Sequence, residues 1–422
     1  MAEKLDSILK SYVADGTATK DKLLGAAFVV ASKDGPIYQG AAGRTRVDPS
    51  SAPFTPRSIT WTASMTKLLT TTCLMHLVSH NNKHKLTLDE DLRPLVPELA
   101  TLQIITGFAP ANDPNLKEGE PLLHPNTAPL TLRHLLTHTA GFGIDYGDAD
   151  LTRWSQWIGR TANVGSCTVE GWLTPLKFAP GDGWYYGTNL DWAGQVLERV
   201  TGMRLGEYMA EYLLGPLGVG EDTGFFVDRV VPPGEGGKRE RQYVPVAQRD
   251  VEGTGELSEG VVPFPVEPVC ESGGAGVYTC AADYGRVVQE LLRGLKGEGE
   301  VMKRETLEEM FRPQLDAKQT ECLREIIWAF GSGAEIPEGA PVDHGIGGLM
   351  NLEDVDGKRR KGSLMWSGMC NSRWWMDPET GIGGVMIVNV LPYGDATVLK
   401  MYDELERAVY GELVPAWQAS SK

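Results

Sequence analysis

The sequence predicts an α/β protein of the α+β type, with one mostly antiparallel sheet built from the two ends of the chain. Two observations point there. Strand-like apolar runs gather near the amino terminus and again in the terminal third, while the stretch between reads mainly as helices and long loops. Residues 1–80 and 275–422 together make the expected sheet domain, and residues 81–274 make an inserted, mainly helical subdomain. A cleft between sheet and subdomain is the natural place for a site.

Leu5, Ile8, Leu9, Tyr12 and Val13 recur at helical spacing between charged residues, which predicts an opening helix and not a secretory signal. Ala26 to Ala31 is a compact apolar run. The turn Ser32-Lys33-Asp34-Gly35 and a second run from Ile37-Tyr38 complete a β-hairpin. From Ser64 to about His80 the apolar set Leu68, Leu69, Cys73, Leu74, Leu77 and Val78 predicts a helix, stopped by Asn81 and Asn82. Leu130 to His138 and Asp191 to Val200 are the clearest helical pieces of the middle. Residues 227–268, rich in Gly, Pro, Glu and Arg with weak periodicity, read as a long surface excursion, either a lid or a tolerated insertion. Ser363 to Trp366, Ser372 to Met376 and Val385 to Leu391 read as strands, with a turn at Asp377-Pro378-Glu379-Thr380-Gly381. A helix from about Ala396 to Tyr410 closes the chain, and there is no internal repeat.

At 422 residues, 41% hydrophobic and 23% charged, the composition is that of a soluble globular protein with room for a large core. A formal net charge of −16 argues against a nucleic-acid surface and against attraction to anionic lipid. No stretch approaches eighteen uninterrupted apolar residues, so no membrane span is expected. Cys73, Cys167, Cys270, Cys280, Cys322 and Cys370 are scattered, without a close metal-type pair. They read as mostly buried thiols in a reducing compartment, which makes the expected location cytoplasmic.

The chemistry starts at Ser64-Met65-Thr66-Lys67, just inside the apolar helix. That spacing puts hydroxyl and amine on one helical face, about one turn apart. A serine hydroxyl is a poor nucleophile until something takes its proton. A lysine amine can do so only when neutral, which burial and a nearby positive charge favour. A facing tyrosine can share the proton network. The motif alone decides nothing, because Ser7-Ile8-Leu9-Lys10 repeats it in an apparent surface helix.

Other constellations carry less. His76, His80 and His84 recur every four residues, but the asparagines after His80 stop the helix and no carboxylate sits at a zinc-peptidase position. No metal site is expected. The absence of a Gly-x-Ser-x-Gly elbow counts against an α/β-hydrolase. The tryptophans at 154, 157, 172 and 184 either line an acyl pocket or pack the helical subdomain.

Taken together, four stretches resemble the serine β-lactamase and penicillin-binding-protein superfamily, in its class C-like branch. They are Ser64-x-x-Lys67, Leu135-Leu136-Thr137-His138-Thr139-Ala140-Gly141, Pro180-Gly181 leading to Tyr186, and Trp366-Ser367-Gly368. Trp184-Tyr185-Tyr186-Gly187 with Asp191-Trp192-Ala193-Gly194, and Asn371 to Asp377, are similar to family VIII carboxylesterases and especially to fungal acyltransferases of the lovastatin-pathway type. The similarity runs from about residue 5 to 411. It implies the β-lactamase/penicillin-binding-protein-like fold, with Ser64 as acylated nucleophile, Lys67 as its proton partner and Tyr186 as the catalytic tyrosine. Tyr186 is preferred to Tyr185 because it lies six residues after Pro180 and five before Asp191. Trp366, Ser367 and Gly368 take the substrate-binding strand. The backbone N–H groups of Ser64 and Met369 then form the oxyanion hole. His134 and His138 become scaffold near the site.

Two departures from class C β-lactamases matter. The asparagine two residues after the tyrosine is Thr188 here, and the strand lysine that attracts a substrate carboxylate is Trp366. Both remove polar contacts that a β-lactam needs, so antibiotic hydrolysis is expected as a side activity at most. The expected function is a serine acyl-enzyme hydrolase or acyltransferase on a small-molecule ester or thioester, in secondary metabolism of the polyketide type. Water or an alcohol would accept the acyl group, and an acyl-carrier protein is a further candidate donor. No metal or organic cofactor is required. Two alternatives stay open: a β-lactamase- or peptidase-like hydrolase, and a catalytically silent binding protein of the same fold.

Overall fold

The computed structural model describes residues 2–80, 85–231, 242–329, 331 and 335–420. Its centre is a seven-stranded sheet of β1 (Gly25–Ser32), β2 (Gly35–Gly43), β3 (Val342–Gly345), β4 (Gly348–Asn351), β5 (Leu364–Ser367), β6 (Arg373–Asp377) and β7 (Ile382–Ile387). The spatial order is β2-β1-β7-β6-β5-β4-β3, and every neighbouring pair is antiparallel. The two ends of the chain therefore meet at β1 and β7, where Val29 pairs with Val385. The hairpin near residues 26–38 and the three late strands fall where the sequence places them, within a few residues.

Both faces of this sheet are covered. Adjacent residues on a strand point to opposite faces. A Cβ at Gly383 would meet Val288, on the helix Ala281–Leu295, whereas a Cβ at Gly384 would run into the Trp375 ring. That ring packs edge-on against Tyr402 of the closing helix Ala396–Ala408. Burial on both sides removes the apolar–polar alternation of a one-faced sheet, so β7 is buried along its whole length.

Several elements differ from expectation. The chain between the hairpin and the late strands does not turn wholly to strands after residue 275: Ala281–Leu295, Arg304–Met310 and Ala317–Ala329 are helices. Leu130 to His138 shrinks to a five-residue helix, Leu132–Leu136, capped by the Thr131 side chain. The middle also holds a hairpin, Gln103–Phe108 with Pro121–Pro125. Within 227–268, the strand Ala247–Arg249 pairs with Leu257–Glu259 and lies parallel to Val390–Leu391, burying Val244, Val246, Ala247 and Leu257. That excursion is stitched to Ile59 and to the segment after β7 by backbone hydrogen bonds, which no side-chain periodicity announces. Its residues 232–241 lie outside the described residues, as do Asn81, Asn82 and His84.

The six cysteines are free thiols, four of them buried. No helix among the described residues is long and apolar enough to cross a membrane.

Candidate active site

Ser64 sits in a single 3₁₀ turn, Ala63–Met65, that feeds directly into the helix α1 (Thr66–His80). Ala63 enters the turn at φ +48°, in the left-handed region that a residue with a side chain seldom occupies. The Thr66 hydroxyl holds it there by donating to the Ala63 carbonyl at 2.7 Å while accepting the Val277 N–H at 3.0 Å. The turn places Ser64 beside the end of β5, and one helical turn on, buried Lys67 points the same way.

Lys67 Nζ donates to Ser64 Oγ at 3.1 Å and to the Gly274 carbonyl at 2.8 Å. The Tyr186 hydroxyl donates to Ser64 Oγ at 2.7 Å, and Lys67 Nζ lies 4.7 Å from the centre of the Tyr186 ring. The expected hydroxyl, amine and phenol are thus in mutual contact. The Tyr185 hydroxyl is bonded elsewhere: it donates to Asp148 at 2.5 Å, beside the Lys177 ammonium. The duplicate motif at Ser7 and Lys10 is on the surface, its hydroxyl spent on the Glu3 carbonyl.

Trp366 and Ser367 at the end of β5, and Gly368 just beyond it, run past Ser64. Trp366 packs on Tyr186 with ring centres 5.4 Å apart and stacks near His138. Ser367 Oγ is 3.0 Å from the Tyr393 hydroxyl. Gly368 must be glycine, because a Cβ there would stand 2.3 Å from the Thr62 carbonyl oxygen. That approach brings the end of β5 against the turn carrying Ser64, and Ser64 and Met369 both line the resulting cavity of about 250 Å³.

The rest of the lining is mostly apolar or aromatic: Ile144, Tyr146, Trp184, Tyr185, Ile326, Ile327 and Tyr393, with Gly147 and Asp148. Of the four tryptophans in question only Trp184 reaches the cavity. Trp172 is buried, with its carbonyl accepting the Trp192 indole N–H; Trp154 joins a small cluster with Ile105 and Leu151, and Trp157 is largely exposed. Ile326, Ile327 and Tyr393 carry no motif. Only the tertiary packing of their segments around Ser64 reveals them.

Two buried histidines back the aromatic wall. Burial pushes the His138 imidazole well below its ordinary range, helped by His344 and Lys67, and it pushes His344 down to about 4. Both rings are therefore neutral near pH 7. His138 Nδ1 is 3.0 Å from the Asn189 amide nitrogen, and His344 Nδ1 is 2.6 Å from the Gly345 carbonyl oxygen. Thr188, at the position of the class C asparagine, turns away from the cavity towards the Trp172 carbonyl. His76 bonds the Tyr208 hydroxyl and stacks on His80.

The beta-lactamase family model matches residues 5–407. The chain belongs to the beta-lactamase family. It is an enzyme of that family's serine hydrolase and acyltransferase type. Among relatives of this beta-lactamase family member is the lovastatin esterase of Penicillium rubens, 30% identical over 90% of this chain and 92% of the relative. The monacolin J acid methylbutanoyltransferase of Aspergillus terreus is 30% identical, over 83% of this chain and 81% of its own. Unliganded simvastatin synthase from Aspergillus terreus superposes with a TM-score of 0.82 at 26% identity, covering 97% of each chain. The β-lactamase/penicillin-binding-protein-like fold expected from the motifs is the fold of this family member.

Proposed function

We propose that this protein is a serine esterase or acyltransferase that works through an acyl-enzyme on Ser64, on small-molecule esters or thioesters of polyketide-type secondary metabolism. The contact of the Lys67 amine and the Tyr186 phenol with one Ser64 oxygen, at 3.1 and 2.7 Å on the wall of a cavity, carries the reading. Ser64 Oγ attacks the substrate carbonyl carbon as its proton passes into the Lys67–Tyr186 pair. The oxygen of the tetrahedral adduct takes the negative charge beside the backbone N–H groups of Ser64 and Met369. The C–O or C–S bond then breaks, and the proton returns to the leaving alcohol or thiol. Water or a substrate hydroxyl attacks the acyl-enzyme by the same path reversed, giving an acid or a new ester and restoring Ser64.

The lining also speaks to the substrate. None of its described residues is a cation, and its one carboxylate, Asp148, is committed to Lys177, Tyr185 and the Leu151 N–H. With Trp366 where class C enzymes carry lysine, a neutral apolar acyl group suits the wall better than an acidic one. The relatives named for lovastatin and monacolin J chemistry support a polyketide-derived partner, with a small thioester or a carrier-bound acyl chain as donor.

Intact-protein mass spectrometry after incubation with small acyl esters, acyl thioesters and an acyl-carrier thioester tests this. A stoichiometric acyl adduct is expected on the native protein and not on Ser64→Ala. An adduct that persists in Ser64→Ala, or none with any donor or with a fluorophosphonate, would sink the proposal.

A further inference from the structure

Gly274 presents its two backbone groups to opposite charges. Its N–H donates to Asp191 Oδ1 at 3.1 Å, and its carbonyl accepts the Lys67 Nζ at 2.8 Å. The same Asp191 oxygen accepts the Ser272 hydroxyl at 2.5 Å, and that hydroxyl oxygen accepts the Ala275 N–H at 3.1 Å. From the other side, the Thr70 hydroxyl on α1 donates to the Gly273 carbonyl at 2.8 Å. The Ser272–Ala275 turn is therefore clamped between α1 and the helix α2 (Asn189–Thr201), with Asp191 as the clamp on the α2 side.

The fit admits only glycine. A Cβ at Gly274 would stand 2.7 Å from Asp191 Oδ2, and one at Gly273 would stand 2.3 Å from the Leu190 carbonyl oxygen. Asp191 is only 3% exposed, an expensive place for a carboxylate without donors and a cation nearby. Burial raises its pKa, and the Lys67 charge is the leading influence drawing it back down. Lys67 Nζ accordingly has a carbonyl under it whose position Asp191 sets, and Ser64 in front of it at 3.1 Å.

We propose that Asp191 is a positioning residue for the nucleophile: through Gly274 it fixes the carbonyl that seats the Lys67 amine against Ser64. The proposal rests on the reading of Ser64 as the acylated residue. It assigns to Asp191 a part beyond joining α2 to the turn, because a loosened Gly274 carbonyl would free the amine to leave the serine without altering the cavity that receives the substrate.

Asp191→Ala and Asp191→Asn separate the possibilities, read by the rate of Ser64 labelling with a fluorophosphonate, by kcat and KM on a short nitrophenyl ester, and by thermal midpoint. Asp191→Ala is expected to slow labelling and kcat about a hundredfold while KM moves less than about threefold, as for a group that acts on the reacting atoms through another. Asp191→Asn keeps an oxygen acceptor for both donors, and should recover to within about tenfold of the native rate. Native-rate labelling in Asp191→Ala would overturn the proposal, as would an Asp191→Asn protein that melts normally yet is as slow as Asp191→Ala. If Asp191→Ala does not fold, Asp191→Asn decides by the same threshold, and an Asp191→Asn that does not fold also overturns it. Ser64→Ala is the separate control: label retained there would refute the nucleophile itself, whatever Asp191 does.

Discussion

The Tyr186 hydroxyl donates to Ser64 Oγ at 2.7 Å across 122 residues of chain, while the neighbouring Tyr185 hydroxyl is committed to Asp148. Two adjacent phenols thus have unlike surroundings. One meets the nucleophile and the other closes a charged network on the cavity rim.

Substitution should separate them. Ser64→Ala and Lys67→Ala are each expected to lower turnover of a short-chain nitrophenyl ester about a thousandfold or more, because nucleophile and base act as one unit. Tyr186→Phe should cost at least about a hundredfold in kcat. Tyr185→Phe should stay within about fivefold, losing about 1.5–3 kcal/mol of stability with its bond to the Asp148 carboxylate. Steady-state kinetics and urea unfolding check both; a tenth of the native rate in Ser64→Ala or Lys67→Ala would end the mechanism.

Gly368→Ala probes the packing of β5 on the serine turn. The added methyl would meet the Thr62 carbonyl at 2.3 Å, so strand and turn must separate. Because Met369 follows immediately, kcat is expected to fall about a hundredfold, in the range seen when one oxyanion donor is lost. Comparing kcat with the thermal midpoint tells a displaced donor from general unfolding: a variant that melts normally at native kcat would show that β5 has no part in the oxyanion site.

Acid should weaken the fold through His344. Its ring is buried and held down at about 4, whereas the unfolded chain titrates near 6.5. Between those values the unfolded chain binds the extra proton, so stability present above pH 6.5 is lost as pH falls towards 4, by about 3 kcal/mol. Asp343, pushed up by burial, acts in the opposite sense in native and variant alike. Urea unfolding at a series of pH values should give His344→Asn a slope shallower by roughly one proton. Equal slopes would mean that the folded protein protonates this ring as readily as the unfolded chain.

Arg359 and Glu406 are fully buried and joined by two bonds of 2.7 Å, with the Tyr402 hydroxyl 2.9 Å from the guanidinium. Glu406→Ala leaves a buried cation unpaired and should cost about 3–5 kcal/mol. Neither residue lines the cavity, so esterase activity per folded molecule should be native. Active-site titration alongside chemical denaturation distinguishes the two effects, and a lost rate at full folding would tie the pair to catalysis.

The readable parts of the chain were those whose physics is local. The Ser64–Lys67 spacing, the hairpin turn at Ser32–Gly35 and the apolar run of α1, which is buried on nearly every side, each follow from a few neighbouring residues. The strands Val342–Gly345 and Gly348–Asn351 escaped because they are four residues each, buried throughout and bounded by glycine, which leaves no period of two to read. The helix Ala281–Leu295 was lost to the expectation that the terminal third turns to strands ahead of its closing helix, although its buried face packs on β1 and β7.

By itself the sequence determined which chemistry was on offer, because an amine one helical turn beyond a hydroxyl is a matter of backbone periodicity. Only the tertiary structure decided which tyrosine completes it, which of two Ser-x-x-Lys motifs is enclosed, and that Ile326, Ile327 and Tyr393 wall the cavity. Those outcomes depend on segments hundreds of residues apart closing on one another. Such closure is set by the summed burial of a whole sheet and its helices, which no short stretch of residues contains.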